Sequence, residues 1–377
     1  MRPCESARLV ATQLSVLATL GALPGLPPCS RLDGEPTPVH DVRGDLLFWR
    51  LALGGRGYVD IAAHPRLGAP LVAIAPDAEW DPCALLAEAA ELGIEHDGLE
   101  FVAYSFPKLA VRFRRAGAEV ALRELHTWDQ VPDPRREHGT PPGQFERWSF
   151  LDEQSAEVGR DHEERYHQRV ESLAHLANVL HVHEPVVRLL DRRVVEEVLR
   201  PHVDFRELLY SHRDADHSTC VALRGQETNT WSVAASVQIF LDFYRYRYEQ
   251  DRLAYELGLG TEEEPVGLPH SREFDVVLAL ESLTGKSLTA SMNKHPNFGE
   301  YRAEIRANRP LISFVPGHAR VVAGYTRTSS LRLMGASFAG LLVYDPWPPN
   351  AGVIRRWENV DTTVYRRTFT ARVTLLD

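Results

Sequence analysis

The chain has 377 residues, of which 44% are hydrophobic and 25% are charged, and its formal net charge is −10. This length and composition exclude a wholly disordered chain and suit about two or three domains with a substantial core. The acidic balance argues against a general nucleic-acid binder, which holds phosphates with a surplus of Lys and Arg. The chain has four scattered cysteines, Cys4, Cys29, Cys83 and Cys220, with no CxxC pair. A disulfide-rich scaffold and a four-cysteine zinc ribbon are therefore excluded, and a reducing compartment is favoured.

An apolar run at residues 9–26 is the first predicted element. It resembles the core of a signal peptide, but Glu5 precedes it, polar residues interrupt it and no A-x-A site follows. Val10, Leu14 and Leu17 recur at helical spacing, which predicts an amphipathic helix docked on the protein. We therefore expect a cytoplasmic protein, with secretion as the alternative. No other run approaches the ~18 apolar residues of a membrane span, so no membrane span is expected.

Residues 45–128 predict mainly β-structure. One hairpin is expected where strands at 46–53 and 58–63 flank a glycine-rich turn, and a short helix should end at Gly93. A second hairpin is expected from a single strand at 102–113 followed by a strand at 120–128.

Residues 129–160 are rich in proline, glycine and charge, which indicates a linker or a draped loop. From about 161 to 212 the pattern is helical and strongly charged, and Pro185 and Pro201 should break it into pieces. We expect these helices to lie across the functional cleft as a lid or brace.

Three short stretches after about residue 217 suggest chemistry. Residues 225–236 place Gln226 and Ser232 at the start of an apolar helix, while His318 and Asp345 stand at the ends of separate apolar strands. A nucleophile at a helix N-terminus is favoured by the helix dipole, and nearby donors can hold a developing oxyanion. A histidine supplies general base and acid, and a third polar group fixes its tautomer. The pattern suits acyl transfer.

These stretches resemble papain-like cysteine peptidases, most closely the bacterial branch that trims double-glycine leaders. That family has a Gln, five residues and then a Cys opening the central helix, often as W-C-x-A-A-S, followed by a strand headed by Gly-His and a strand ending in Asp-Pro. The resemblance covers about residues 220–357 and implies that Gln226 serves the oxyanion hole, His318 is the base and Asp345 orients it. Trp231 and Gly317 would line the cleft.

The fold implied is α+β, with a central helix starting near Ser232 on an antiparallel sheet from about 311 to 376. Four regions are predicted: an N-terminal helix or tail at 1–35, a β-rich domain at 36–135, a linker with charged helices at 136–210, and the papain-like domain at 211–377.

The nucleophile position departs from the family because Ser232 stands where the cysteine belongs, and none of the four cysteines can replace it. A thiol forms a thiolate–imidazolium pair with histidine, whereas a hydroxyl must lose its proton during attack. Three hypotheses stay open. The protein is a weakly active or inactive pseudo-peptidase that binds a peptide or protein partner, or a hydrolase with a serine nucleophile, or a cysteine peptidase present as an inactivated Cys-to-Ser form.

Structural explanations exist for each of these residues. Serine is a favoured helix N-cap, an aspartate before proline often starts a turn, and Gln226 or His318 alone would be an ordinary loop or strand-edge residue. The remaining histidine pairs lack further ligands, so no metal site and no cofactor are expected: His181 with His183, and His162 with His167.

Overall fold

The computed structural model describes residues 3–26, 29–54, 57–105, 108–133, 146–208 and 223–374, and it mixes helices and strands. Eight α-helices occur within the described residues: α1 (Pro3–Thr19), α2 (Pro82–Glu91), α3 (Ala156–Val179), α4 (Arg192–Leu199), α5 (Ser232–Phe243), α6 (Gln250–Leu257), α7 (Asp275–Leu283) and α8 (Phe298–Arg306). The strands are β1 (Ser30–Asp41), β2 (Leu46–Leu53), β3 (Gly57–Ala62), β4 (Leu71–Ala75), β5 (Gly98–Ser105), β6 (Lys108–Arg115), β7 (Ala118–Glu124), β8 (Val186–Val187), β9 (Pro201–Glu207), β10 (Leu288–Asn293), β11 (Leu311–Val315), β12 (His318–Ser330), β13 (Phe338–Asp345), β14 (Ile354–Asn359) and β15 (Arg367–Val373).

All of these strands belong to one large mixed sheet. Its order is β10-β15-β11-β12-β13-β14-β4-β3-β2-β1-β5-β6-β7, with β8 paired to β1 and β9 paired to β12. The described pairs are antiparallel except for β1 and β5, which run parallel. The strands before and after the helical region meet where β14 pairs with β4, with Trp357 opposite Ile74. Hydrogen bonding is therefore continuous from the N-terminal strands to the strands that carry His318 and Asp345.

Helix α5 packs on the antiparallel strands β11 and β12. Its residues from Ser232 to Asp242 are all buried, and Val233, Val237 and Phe240 are completely so. They belong to a core that also includes side chains of α6, α7 and α8. Burial of a large aromatic or aliphatic side chain contributes about 1.5–3 kcal/mol to stability. Because buried residues occur on every face of this helix, packing on all sides stabilises its position.

The N-terminal helix α1 is docked on the protein, as its helical spacing predicts. Leu9, Val10 and Leu14 are completely buried, and the helix packs on α3 and β8. Across the described stretches of the chain, no helix combines the length and apolar character needed to cross a bilayer.

Two local predictions are wrong. The stretch predicted as one strand at 102–113 forms the end of β5 and most of β6, with Ser105 opposite Lys108. Pro107 lies between them, and proline cannot donate to a central ladder. The second error is at 201–207, predicted as helix, which forms β9 and pairs with the second half of β12. Its alternating Val203 and Phe205 are the period-two signal of a strand.

The charged helices do not occupy the predicted position across the site. Helix α3 packs on α1 and on short 3-10 turns at Pro65–Leu67 and Met334–Ala336. The predicted linker lies partly outside the described residues, because residues 134–145 are not among them. The predicted glycine turn at 54–57, the predicted domain start at 211 and Cys220 also lie wholly or partly outside them.

Candidate functional site

His318 and Asp345 are brought together by adjacent antiparallel strands. A two-residue turn, Pro316-Gly317, joins β11 to β12 and leaves Val315 opposite His318. Gly317 has φ 67°, the left-handed value that the third position of a type II turn requires, and proline suits the position before it. His318 therefore begins β12 while Asp345 ends its neighbour β13. The imidazole Nε2 lies 2.6 Å from Asp345 Oδ1, although the two residues are 27 positions apart.

Asp345 is one end of a buried ionic network. Its Oδ1 also accepts from the backbone N–H of Trp347 at 3.0 Å, and its Oδ2 accepts from the Arg356 guanidinium. Arg356 donates to Glu358, which accepts two hydrogen bonds from Arg320 at 2.9 and 2.6 Å. Burial alone would raise the pKa of Asp345, but His318 and Arg356 outweigh it and hold that pKa well below its usual range. Asp345 is therefore ionised at neutral pH.

His318 is neutral at the same pH. Its side chain is completely buried, and burial is the main reason that its pKa falls to about 4, against the opposing effect of Asp345. Since the ionised Asp345 accepts from Nε2–H, the neutral ring carries its lone pair on Nδ1. Nδ1 is buried and has no hydrogen-bond partner in the described part of the chain. The histidine therefore has one nitrogen oriented by a carboxylate and one nitrogen free to accept a proton.

Ser232 is the first residue of α5 and lies beside the start of β12. Its Oγ accepts a hydrogen bond from the backbone N–H of Ala319 at 3.2 Å, and the residue has no exposed surface. The hydroxyl thus lies next to the residue that follows His318 and is bound to the strand backbone. The structure brings Ser232, His318 and Asp345 into one buried region.

Gln226 joins this region through its loop. Its backbone N–H donates to Pro346 at 2.9 Å, and its carbonyl accepts from Asn350 at 2.9 Å, so the loop is bound to the turn after Asp345. The side-chain Nε2 donates to Thr228 O at 2.6 Å, within the same loop. One amide N–H of Gln226 is thus used locally instead of pointing to an open oxyanion site.

Several buried oxygens in this loop have no hydrogen-bond partner among the described residues: Gln226 Oε1, Thr228 Oγ1, Asn229 Oδ1 and Thr230 Oγ1. Buried polar atoms are usually paired, so a group of unpaired ones calls for an explanation. Together with His318 Nδ1 they give the region before α5 an excess of hydrogen-bonding capacity. A ligand or water could satisfy that capacity.

The two residues expected to line the cleft have different positions. Trp231 lies in the core, fully buried, and its indole N–H donates to Leu259 O at 2.9 Å. Gly317 lies in the turn before His318, at the site itself.

The sequence analysis missed the N-terminal strands as part of the site. Ser105 Oγ donates to Pro316 O at 2.6 Å, and Lys108 Nζ donates to Gly317 O at 3.2 Å. Lys108 Nζ also lies 4.4 Å from the centre of the Trp347 ring. Both residues have no exposed surface. The only local signal was a lysine inside an apolar strand, where an unpaired charge would be costly.

The loop before α5 also contacts the N-terminal strands. The side-chain amide of Asn229 donates to Asp129 and to Thr127 Oγ1. The N-terminal strands and the turn that follows them therefore touch both the His318 turn and the loop that carries Gln226. The predicted cleft is covered from this side.

The histidine pairs do not form a metal centre in the described structure. No group of three or more His, Cys, Asp or Glu side chains is arranged to hold a metal ion among those residues. His162 Nδ1 instead lies 2.8 Å from Arg66 O, and the His181 and His183 rings are 6.3 Å apart.

No protein-family model matches the chain, and no curated protein matches it. Among solved structures it is similar to a mutant fragment, residues 39 to 359, of prointerpain A from Prevotella intermedia. The identity is 12%, the match covers 93% of this chain and 99% of that chain, and the TM-score is 0.30. At that TM-score and identity the likeness is too distant to assign a function to this chain.

Proposed function

We propose that this chain is a papain-like, peptidase-fold protein that binds a peptide or protein segment and cleaves it weakly or not at all. The three helper residues of the family pattern, Gln226, His318 and Asp345, lie in one region with Ser232. Unpartnered buried oxygens in the loop before α5 support binding, because a ligand's polar groups would pair with them.

The observation that carries the non-cleaving part of the proposal is the state of Ser232. Its hydroxyl is fully buried and accepts from the Ala319 backbone, while His318 Nδ1 has no hydrogen-bond partner in the described structure. A serine nucleophile needs a base within about 2.6–3.2 Å to remove its proton during attack. The arrangement has the base but lacks this contact.

Cleavage is tested by incubating the protein with a pool of fluorogenic peptides and with a fluorophosphonate probe. We expect no turnover above a Ser232→Ala control and no probe on Ser232. Turnover at ordinary enzyme rates that Ser232→Ala abolishes, or stoichiometric labelling of Ser232, would overturn the proposal.

Binding is tested with the same peptides, labelled and measured by fluorescence polarisation. Thr230→Val is nearly isosteric and removes one buried, unpartnered hydroxyl, so we expect weaker binding of any peptide that binds the wild type. Thr289→Val on the exposed edge of β10 is the matched control. Equal binding by both variants, or no peptide bound by the wild type, would contradict a peptide-binding role for this loop.

A second candidate is a working hydrolase, favoured by one observation. The unpartnered Nδ1 of a neutral His318, with Nε2 bound to an ionised Asp345, is the state of a competent general base. The Ser232→Cys variant separates this candidate from the inactivated-peptidase hypothesis. If that variant cleaves peptides and iodoacetamide abolishes the activity, the chain is a cysteine peptidase in an inactivated form. We expect no such gain, because the site is covered and the neutral imidazole does not stabilise a thiolate.

A further inference from the structure

The hairpin formed by β5 and β6, here called the covering hairpin, is attached to the site by two buried side chains. Ser105 ends β5 and Lys108 begins β6. They donate to consecutive carbonyls of the turn before His318, Ser105 to Pro316 at 2.6 Å and Lys108 to Gly317 at 3.2 Å. The covering hairpin is therefore hydrogen-bonded to the turn that sets the position of the His318 imidazole.

Lys108 also reaches the second turn of the site. Its ammonium lies 4.4 Å from the centre of the Trp347 ring, a distance typical of a cation–π contact. The backbone N–H of Trp347 donates to Asp345 Oδ1 at 3.0 Å, and the same oxygen binds His318. One side chain from the N-terminal strands thus touches both turns that hold the pair.

We propose that Lys108 is a positioning residue for the His318–Asp345 pair, and that the covering hairpin which carries it controls access to Ser232. This inference rests on the proposed function, because it describes how that same site is covered and opened.

The environment of Lys108 explains why the hairpin can open. The side chain is completely buried, and burying an ammonium is unfavourable unless neighbouring groups offset its lost hydration. Burial lowers the pKa of Lys108 to about 7, against the attraction of Asp345 and Glu124. Glu124 is buried as well, and burial raises its pKa to about 7 although His126 and Thr127 donate to it. Releasing the hairpin would return the ammonium to water and restore that hydration.

The attachment of the covering hairpin to the rest of the sheet is also short. With β7 it forms one end of the sheet, and β5 joins β1 through the parallel pairing of Val39–Asp41 with Phe101–Ala103. Parallel pairing is slightly weaker per residue than antiparallel pairing. Movement of the hairpin away from His318 would therefore break few hydrogen bonds to β1, and it would also move buried side chains such as Phe101 and Leu109.

The first test measures the pKa of His318 in the His318–Asp345 pair. His318 is titrated by ¹⁵N NMR of histidine-labelled full-length protein, comparing wild type, Lys108→Met and Lys294→Met as an exposed control. Because the Lys108 charge lowers the pKa of His318, we expect Lys108→Met to raise it by about half a pH unit or more. The control should leave it unchanged. An unchanged His318 pKa in folded Lys108→Met would overturn the positioning role.

The second test measures how accessible position 232 is to a reagent in solution, with Ser232→Cys as a reporter in the full chain. The rate of iodoacetamide labelling is followed by mass spectrometry of the peptide containing position 232, with and without Lys108→Met. We expect labelling to be about tenfold faster in Lys108→Met and unchanged in Lys294→Met. Loss of the ammonium would by itself raise the thiol pKa and slow alkylation, so a faster rate reports access.

Circular dichroism and thermal melting show whether each variant is folded. If Lys108→Met does not fold, Ser105→Ala takes its place, since it removes the hydroxyl bond to Pro316 and keeps the charge. We expect a smaller increase in labelling from Ser105→Ala. Labelling equal to the reporter alone in a folded hairpin variant would overturn the control of access.

The outcomes also separate this inference from the proposed function. A fluorophosphonate that labels native Ser232 only in Lys108→Met would support the covering hairpin and show that Ser232 reacts once uncovered, whereas labelling of Ser232 in the wild type would overturn the non-cleaving function. Faster labelling of the cysteine reporter without fluorophosphonate labelling of Ser232 would support both.

Discussion

Two buried ionic groups lie in the two halves of the sheet, and they differ in how completely they are paired. In the N-terminal half, Arg50 on β2 and Asp60 on β3 form a two-pronged pair with distances of 2.7 and 2.9 Å. The guanidinium also stacks on the rings of Tyr58 and Trp80, at 3.7 and 4.7 Å from their centres. In the C-terminal half, Asp345 connects His318 to Arg356.

The difference lies at the ends of the two groups. Neither Arg50 nor Asp60 keeps a buried polar atom without a partner in the described structure, so their pair is complete. The second group ends at His318, whose buried Nδ1 is unpaired there. In both groups, pairing offsets the unfavourable burial of charge. Only the second group has a buried polar atom that can still form a hydrogen bond with another molecule. The comparison suggests that a closed buried pair stabilises the fold, whereas an open one indicates a binding or reacting site.

The largest effect is expected from removing the central carboxylate of either group. Asp60→Asn leaves the buried Arg50 guanidinium without its charged partner and should lower the free energy of unfolding by about 3–5 kcal/mol. Asp345→Asn removes the carboxylate shared by His318 and Arg356 but leaves Arg356 paired with Glu358, so we expect a loss at the lower end of that range. Urea denaturation measures both. Only Asp345→Asn should also change the His318 resonances. The comparison breaks if Asp60→Asn changes them equally, or if Asp345→Asn is as stable as the wild type.

The second-largest expected effect is that the His318–Asp345 group, unlike the Arg50–Asp60 pair, makes the free energy of unfolding depend on pH. His318 has a pKa of about 4 in the folded protein and about 6.5 when unfolded, so the unfolded state binds more protons between these values. Its contribution to stability is therefore complete above pH 6.5 and is lost as the pH falls towards 4. Asp345, whose folded pKa is depressed, contributes its own loss only below about pH 4.

The variant His318→Gln isolates this contribution. Between pH 7.5 and pH 5, the wild type should lose about 2 kcal/mol more than the variant in urea denaturation. Half-buried histidines such as His64 and His162 also have lowered pKa values, but their effect cancels in the difference. An equal loss in both proteins would mean that folding does not lower the pKa of His318.

A smaller effect is expected from the loop that carries Gln226. A Cβ on Gly225 would lie 2.3 Å from Gly352 O, so Gly225→Ala should force the two loops apart at a cost of about 1–3 kcal/mol. It should also weaken the bond between the Gln226 N–H and Pro346. Gly98→Ala is the control, since its Cβ would meet only Arg114 Cβ at 4.0 Å. Thermal melting compares them, and equal stability would mean that the loops are not in close contact.

The smallest effect is expected at an exposed pair. Arg192 and Glu196 lie 2.8 Å apart on α4, with side chains 64% and 49% exposed. Replacing Arg192 with Ala should change stability by about 0.5 kcal/mol or less, because water and salt screen the pair. If urea denaturation shows a larger loss of stability, burial does not explain why the buried ion pairs contribute more than the exposed Arg192–Glu196 pair.

Local sequence signals predicted much of the architecture around the site. The Pro316-Gly317 turn, the apolar strands on either side and the helix after Trp231 all follow from residue types and spacing. The helix prediction at 201–207 was wrong because two local signals in the same segment pointed to different structures. The charged residues of 201–207 suggested a helix, although the alternation of Val203 and Phe205 indicated the strand β9.

The contacts that cover the site left no local signal. Ser105 and Lys108 lie 211 and 209 positions before the carbonyls that they bind. No periodicity or turn residue specifies which distant strands meet, because such pairing depends on the packing of the whole sheet. The junction of β14 with β4, which brings the N-terminal strands next to the site, was equally unpredictable.

The sequence alone determined the chemistry available at this site: a serine at the head of an apolar helix, a histidine after a tight turn and an aspartate at a strand end. These depend on backbone preferences that act over a few residues. Only the tertiary structure decided that His318 is neutral, that Asp345 is paired with Arg356, and that N-terminal strands bind the turn before His318. Burial and charge pairing are properties of side chains that meet from distant parts of the chain, and they set the protonation states on which function depends.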